Sequence, residues 1–375
     1  MTGEVLVVGA GIAGLALARA LSLRGVSSTL VERLAVPPRS GMGLNLPANA
    51  LRALAGLGLA DDVVDRGMRV RRREYRNASG RLLFKIDEEA FWGGVGPSVC
   101  LRRGDLLEIL RAGVPDVTVR WGAALTRAEP TETGVRVELS AGPAQEYPYV
   151  AGADGVHSTL RGMVTSDGTQ RSLMTDGSWR FIAANPGVDC WTAWSGTNGT
   201  FLLIPVDQRH VYGYASTTRR GTAVDDPQWL AATFSKFSAP VPTTVSAVLD
   251  EGAQLYYSPI EEVRCKRWSR GRVTLIGDAA HATGPVWAQG AAMALEDSLA
   301  LADLLASRGE WDGVGAEFEA IRRPRVTHVQ SVTDAMSRLA ALPGPLRDAV
   351  APVLGPRTYR KAYGPLRSPA EAVTG

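Results

Sequence analysis

The chain has 375 residues, enough for two domains with separate cores. Its hydrophobic fraction of 45% and charged fraction of 21% are ordinary for a soluble globular protein. The 41 basic and 38 acidic residues leave a net charge of +3, too balanced to argue for nucleic acid or an anionic membrane as partner.

In chain order, Val5 to Ala18 is an apolar run followed by Ala18-Arg19-Ala20, which mimics a signal peptide. Glu4 stands where a basic segment belongs, however, and three glycines interrupt the run. It is also shorter than the ~20 residues that span a bilayer. The spacing instead predicts a strand over Glu4 to Val8, a helix from Ile12 to Arg24 closed by Gly25, and a strand from Ser28 to Glu32. This βαβ start implies a parallel sheet with helices on both faces. A helix is expected from Pro47 to Leu59. Residues 66–100 turn arginine-rich, then aromatic and glycine-rich around Phe91-Trp92-Gly93-Gly94. A helix follows from Arg102 to Arg111, and strands over Val117 to Trp121, Val135 to Leu139 and Tyr147 to Ala151. From about 170 to 262 the pattern is β-dominated, clearest at Phe201 to Ile204 and His210 to Ser216. In the latter His210, Tyr212, Tyr214 and Ser216 share one face. Val273 to Ile276 reads as a strand and Ala291 to Ser307 as a long helix. The rest is helical to about 362, with 363–375 expected as a loose tail.

Cys100, Cys190 and Cys265 are far apart and odd in number, and the four histidines are scattered. Neither set has metal-ligand or disulfide spacing, so no metal is expected and a reducing cytoplasm is the simplest home. All three cysteines read as small buried hydrophobes.

Gly9-Ala10-Gly11-Ile12-Ala13-Gly14 is a G-x-G-x-x-G that follows a strand and opens a helix, with Glu32 ending the next strand 18 residues after Gly14. That is the dinucleotide-binding context. Gly9 allows the turn, Gly11 lets a pyrophosphate approach, and Gly14 lets helix and strand pack. The helix N-terminus, at Ile12 and Ala13, offers free N–H groups to the phosphate, and Glu32 suits the adenosine ribose. The motif alone does not separate NAD from FAD. Arg33 suits either a ribose 2′-phosphate or plain solvent.

Two further segments carry a family resemblance. Ala151-Gly152-Ala153-Asp154-Gly155-Val156-His157-Ser158-Thr159-Leu160-Arg161 is one. The other runs from Gly271 through Gly277-Asp278-Ala279-Ala280-His281 and Gly284-Pro285 to Gln289-Gly290-Ala291 and Glu296-Asp297-Ser298. With the N-terminal fingerprint they resemble, in order and spacing over roughly residues 3–335, the class A (single-component) FAD-dependent monooxygenases, the aromatic-ring hydroxylases. Asp278 ends a strand at the carboxyl edge of the sheet, where ligands bind, and the resemblance assigns it to the ribityl chain of FAD. The helix after Pro285 offers its unsatisfied N–H groups near Gln289, Gly290 and Ala291 to the negative charge of reduced flavin. The resemblance further places Asp154 and Gly155 near the pyrophosphate and the passing nicotinamide. It takes Arg103, in Arg103-Gly104-Asp105-Leu106, to the FAD phosphates, with Arg102 adjacent. It sets Gly43, in Gly41-Met42-Gly43-Leu44, beside the isoalloxazine. Where the family has Gly-Gln-Gly this chain has Ala288-Gln289-Gly290, preceded by bulky Trp287; the added methyl is expected to narrow the flavin site. His281 and His157 lack a nucleophile context and read as structural rather than catalytic.

The resemblance implies an α/β fold class. A Rossmann-type FAD-binding domain (GR2-like; residues 1–65, 99–169 and 263–335) carries an inserted β-rich substrate domain (66–98 and 170–262) and a C-terminal helical region and tail (336–375). It implies non-covalent FAD, reduction by NADH or NADPH, and oxygen transfer from a flavin C4a-hydroperoxide to an electron-rich aromatic small molecule. Partners are then that substrate, molecular oxygen and the nicotinamide, for a monomer or homodimer. No catalytic residue is assigned. Candidates for the substrate pocket are Trp191, Trp194, Phe201, His210, Tyr212, Tyr214 and Trp287, with Arg180 for any acidic group. A FAD-dependent oxidase or dehydrogenase on the same fold, or a non-catalytic flavin-binding protein, would carry the same motifs. A halogenase is disfavoured by the lack of a G-W-x-W-x-I-P-like segment.

Overall fold

A computed structural model describes residues 3–37, 42–167, 169–171, 177–217, 225–340 and 342–369. Gly41 and the last six residues fall outside it.

The strand Val5–Val8 is buried at every position, which is why it reads as an unbroken apolar run. It pairs in parallel with Ser28–Glu32 on one side and Tyr149–Gly152 on the other. Thr118–Trp121 extends the sheet beyond the first neighbour and Val273–Leu275 beyond the second, with Ser269–Arg270 as an antiparallel edge. The carboxyl ends of the three central strands therefore bring the three glycine-containing motifs to one edge.

The helix Ile12–Leu23 buries Ala13, Gly14, Ala16, Ala18 and Ala20 together with Leu15, Leu17 and Leu21. Small side chains let it lie close against the helix Gly290–Ser307, and Ser298 Oγ donates to the Ala13 carbonyl at 3.0 Å across that contact.

A second, seven-stranded sheet runs in the order Tyr256–Pro259, Gly177–Ala184, His210–Thr217, Gly199–Pro205, Trp191–Ser195, Arg72–Asn77, Leu82–Asp87. Its last two strands come from the arginine-rich segment that precedes residue 98. Alternation divides its side chains. Trp179, Phe181, Trp194, Phe201, Leu203, Val211 and Ala215 form one cluster, and Trp191, Ala193, Ile204 and Tyr212 belong to another on the opposite face.

The stretch expected to be β-dominated also holds two helices, Gln228–Phe234 and Val241–Asp250, which cover the first face. Leu230 and Phe234 lie four apart on the one, and Val241, Thr244, Val245 and Val248 at helical spacing on the other. The loose tail expected over 363–375 is corrected over 363–367, where the chain is helical; 370–375 lie outside the described residues. The helix Val314–Ala340 runs without a break through residue 335. The helix Gly344–Tyr363 then folds back over the second sheet and buries Tyr359, Tyr363 and, just beyond, Leu366. Aromatic bulk so close to the end of the chain is what a solvated tail lacks.

The third motif is fixed by a buried carboxylate. Asp297 Oδ2 accepts from the Gly277 backbone N–H at 2.9 Å and shares a 2.6 Å hydrogen bond with His281 Nε2. Its Oδ1 accepts from Arg322 Nε at 2.7 Å. Arg322 also reaches Glu296 at 3.0 Å. Burial alone would raise the Asp297 pKa, but His281 and Arg322 outweigh it and hold it down at about 2. A depressed pKa contributes stability that is complete above the ordinary value of 3.8 and is lost as pH falls through the folded value. We therefore expect roughly 2 kcal/mol of stability to disappear between about pH 4 and pH 2 through this one group. Asp297→Ala should cost about 3–5 kcal/mol, because it leaves the Gly277 N–H and His281 without their partner and Arg322 with Glu296 as its remaining acid. Denaturant titrations across that pH range check both. A pH slope unchanged in Asp297→Asn would show that the carboxylate is not responsible.

Candidate active site

At the edge of the first sheet, a cleft of about 240 Å³ is lined by Gly9, Gly11, Glu32, Arg33, Asp154 and Gly155 among others. Each glycine of the fingerprint has its own reason. Gly9 adopts φ +104° and would press a Cβ into the Ala153 carbonyl. At Gly14 a Cβ would collide with the Gly9 carbonyl. At Gly11 a Cβ meets no protein atom within 4 Å, so that position is open toward the cleft. Glu32 is held by two backbone donors, Ala10 N–H at 2.9 Å and Leu34 N–H at 3.0 Å. Arg33 lies exposed beside it.

Asp154 Oδ2 accepts from the N–H groups of Thr159 and Leu160 at 2.8 and 3.1 Å, while its Oδ1 is buried without a partner. Gly155 follows at φ +79°. Arg161 fastens this turn to the third motif, donating to the carbonyls of Ala279 and Val156 at 3.1 and 2.6 Å.

Gly277, at φ +56°, delivers Asp278 to the same edge. The Asp278 side chain is exposed at this edge, yet the protein packed around it raises its pKa, opposed by the charges of His281 and Arg103. Arg103 thus stands within electrostatic reach of Asp278, whereas Arg102 turns away to Asp207 at 3.4 Å. The helix Gly290–Ser307 starts against Asp278: a Cβ on Gly290 would lie 3.8 Å from Asp278 Oδ1. No side chain caps its N-terminus, so its first N–H groups remain available. Gln289 is held instead by paired amide bonds with Asn49 at 3.0 and 3.2 Å.

Pro285–Trp287 forms a single 3₁₀ turn before this helix, and Ala288 follows at φ +51°. Among the described residues it is the only non-glycine with positive φ. A glycine would hold this conformation without strain; Ala288 holds it at a cost of about 1 kcal/mol or more. The methyl group also faces the neighbouring cavity.

That cavity, of about 270 Å³, lies against the second face of the seven-stranded sheet. Of the residues proposed for a substrate pocket, Tyr212, Tyr214, Trp191 and Trp287 line it. Trp194 and Phe201 do not, because the period of two turns them into the helix-covered cluster on the other face. His210 is also outside it, paired through Nδ1 to Asp207 at 2.9 Å. Arg180 shares the cavity's sheet face, opposite Tyr214, but does not line the cavity.

Gly43 is a glycine because the Tyr212 ring occupies the place of its Cβ. Burial raises the pKa of Tyr75, Tyr212 and Tyr214, so these phenols stay protonated and serve as donors, not bases. No histidine lines the cavity among the described residues.

The sequence reading missed several site residues. Arg73 is buried between the rings of Trp191, Tyr359 and Tyr363 at 5.2–5.4 Å and ion-pairs with Glu88. Glu88 also accepts from Tyr359 at 2.5 Å, Ser98 at 2.6 Å and Trp92 at 2.9 Å. Tyr363 donates to the Trp287 carbonyl at 2.6 Å. Strand periodicity would have put Arg73 beside Tyr75 on one face; only the folded-back C-terminal helix makes that face an interior one.

The open space at Gly11, the orphaned Asp154 Oδ1, the anchored Glu32 and the uncapped helix at Gly290 together fit a flavin dinucleotide stretched along the sheet edge. Comparison with known proteins agrees. Residues 2–335 match the family model described as FAD binding domain. The chain is 32% identical over 352 residues to a 2-heptyl-3-hydroxy-4(1H)-quinolone synthase of Pseudomonas aeruginosa, covering 91% of this chain and 90% of that one. It is 30% identical over 344 residues to a 3-amino-4-hydroxybenzoate 2-monooxygenase of Streptomyces platensis, covering 87% and 85%. Among solved structures, HpxO of Klebsiella pneumoniae complexed with FAD and uric acid superposes with a TM-score of 0.79 at 26% identity, covering 97% and 92%.

The glycines separate folding from ligand binding. Gly11→Ala should fold with wild-type thermal stability yet lose FAD affinity by an order of magnitude or more, because its methyl meets only the ligand. Gly14→Ala should lower the stability of the apoprotein itself. Thermal melts of the apoprotein and flavin titrations check this; an apoprotein equally damaged by both changes would refute it. At the strained position, Ala288→Gly should be no less stable than wild type, whereas Ala300→Gly, inside the helix that follows, should cost about 1 kcal/mol. Equal losses in chemical denaturation would mean that Ala288 carries no strain.

Proposed function

The chain belongs to the FAD-binding-domain family and is a FAD-dependent monooxygenase of the aromatic-hydroxylase type; from that premise we propose that it uses NADH or NADPH and dioxygen to hydroxylate a neutral, largely apolar aromatic small molecule. One observation carries the reading of the substrate site. The 270 Å³ cavity is bounded by Gly43–Asn45 on one side and Pro285–Ala288 on another, the two segments beside which the flavin ring is expected. A substrate there meets the ring directly.

In this reading residues 1–65, 99–169 and 263–335 hold the cofactor, and 66–98 and 170–262 build the substrate side. Glu32 binds the adenosine ribose, Gly11 and the helix N-terminus behind it the pyrophosphate, and Asp278 and Arg103 the ribityl-phosphate end. Bound FAD supplies the redox chemistry, accepting two electrons from the nicotinamide and activating dioxygen for transfer of one oxygen atom to the substrate ring.

The protein's own residues set the conditions. The N–H groups at Gly290 and Ala291 offer fixed positive charge to an anionic ring, worth up to about 2 kcal/mol in a partly buried site. The apolar walls, including Trp191, Leu202, Ile204 and Val350, hold an aromatic ring in place and exclude the water that would divert the reaction. Tyr212 and Tyr214, kept protonated by burial, donate hydrogen bonds but take no proton. This favours a substrate that is electron-rich in its own right.

Neutrality follows from the charges in the wall. Arg73 is answered by Glu88, Arg76 by Glu74 at 2.6 Å, and Arg347 lies 3.9 Å from Asp348. The wall therefore carries little net charge to attract a substrate carboxylate.

A screen of aromatic compounds for stimulated oxidation of NADH and NADPH, with isotopically labelled dioxygen, tests the proposal. Neutral bicyclic aromatics should stimulate oxidation more than benzoates do, and label should enter the product. Nicotinamide oxidation that yields only hydrogen peroxide with every compound, or substrate oxidation without incorporated oxygen, would favour an oxidase instead.

A further inference from the structure

The strand Gly43–Leu46 divides the two halves of the molecule, and its second-last residue is an asparagine where an apolar residue would suffice. Asn45 is 6% exposed and lines the cavity. Both carboxamide atoms, Nδ2 and Oδ1, are sealed from solvent and have no hydrogen-bond partner. An amide left in that state costs free energy on both its donor and its acceptor side, so its retention asks for a partner that arrives with a ligand. Its direction follows from the pairing. Asn45 stands opposite Cys100 in the antiparallel ladder, so the two side chains share a face. Cys100 packs with Trp191, Ala193, Ile204 and Tyr212, the wall formed by the seven-stranded sheet. Leu46, the next residue, points the other way into the core of the cofactor half. The Asn45 carboxamide therefore belongs to the substrate side of the strand.

Two more buried donors without a partner are on residues that line the same cavity, Trp287 Nε1 and Arg73 Nη2. With Nδ2 they make three N–H sources against the single acceptor Oδ1. We propose that Asn45 is a specificity-determining residue that reads an amide-like edge, a ring carbonyl beside an N–H, on an otherwise apolar aromatic substrate. The inference rests on the cavity being the substrate's. A carboxamide pairs with such an edge through two hydrogen bonds in one plane, Nδ2 donating to the carbonyl and Oδ1 accepting from the N–H. Rotation of the amide about its soft terminal torsion brings it into line at little cost. The surplus donors on Trp287 and Arg73 favour an oxygen-bearing ring over a nitrogen-only one.

The test uses the FAD-loaded enzyme and two probes of one outline, 2(1H)-quinolone, which has the edge, and naphthalene, which lacks it. Binding is read from the perturbation of the flavin absorption spectrum. The wild type should bind the quinolone roughly tenfold or more tighter than naphthalene. Asn45→Leu should bring the two affinities within about twofold of each other while the flavin content stays the same. If that variant fails to fold, Asn45→Ser, which cannot reach both partners, should show the same collapse of preference. No preference in the wild type, no binding of either probe, or a preference that survives in the variants overturns the inference. So does a variant that loses FAD affinity but keeps the preference, since the amide would then serve the flavin ring. An enzyme that inserts oxygen into other substrates yet shows no such preference sinks this inference alone. One that never consumes nicotinamide sinks the functional reading beneath it.

Discussion

The buried carboxylate of Asp297 is the constraint on which the rest of the site depends. It joins three elements that have no other reason to keep register: the strand end at Gly277, the short helix carrying His281, and the long helix carrying Arg322. The same helix turn places Glu296 against Arg322 and Arg325 at 3.0 and 2.7 Å, and Asn49 reaches Glu296 at 3.2 Å. Asn49 in turn holds Gln289 at the start of the cofactor-facing helix. A chain of charge-assisted bonds thus runs from the sheet edge, through the interior, to the N–H groups at Gly290. Such a network is costly to desolvate and gains little net stability over an apolar core. What it provides here is position. Asp278 and the helix N-terminus lie against each other at the sheet edge, and the polar lattice fixes their separation.

The second sheet solves a different problem with the simplest device a strand has. Its alternation sends Trp194, Phe201 and Phe181 to a face sealed by two helices, and Trp191, Tyr212 and Tyr214 to a face left partly open. The sealed face makes the sheet stiff; the open one can then tolerate a cavity. Buried tyrosines on that face keep their protons, and buried arginines keep their acids, so the pocket offers hydrogen bonds with little net charge.

The cofactor half was largely legible because its residues act through local sequence context. Gly9, Gly11 and Gly14 with Glu32 announce a turn, a helix and an acid at the next strand's end within one βαβ unit, and Gly9, Gly11 and Glu32 line one cleft. Asp278 is visible for the same reason, as an acid closing an apolar strand. The substrate half resisted because its logic is non-local. Parity put Tyr212 and Tyr214 on one face, yet the sequence could not say which face looks inward. Grouping His210 with them failed because Asp207, three residues back, turns it aside at the strand's start. Trp194 and Phe201 were taken for their aromatic character against their register. Arg73, Glu88 and Tyr359 form one buried cluster from positions 15 and 271 residues apart, and nothing in the sequence joins them. The helices at 228–234 and 241–250 did carry their spacing, but it was hidden under turn-forming residues.

The family match ends at residue 335, whereas the cavity wall continues through Val350, Ala351, Gly355 and Tyr359 of the last helix. One wall of the cavity is therefore written outside the stretch that carries the cofactor motifs. Changes in the final helix can reshape the pocket without disturbing Gly11, Asp278 or the Asp297 lattice, and Gly355, against which the Phe84 ring already presses, is the position where the smallest change has the largest steric effect. The last helix thus acts as an end-plate on the pocket, one that can be altered while the cofactor side stays as it is.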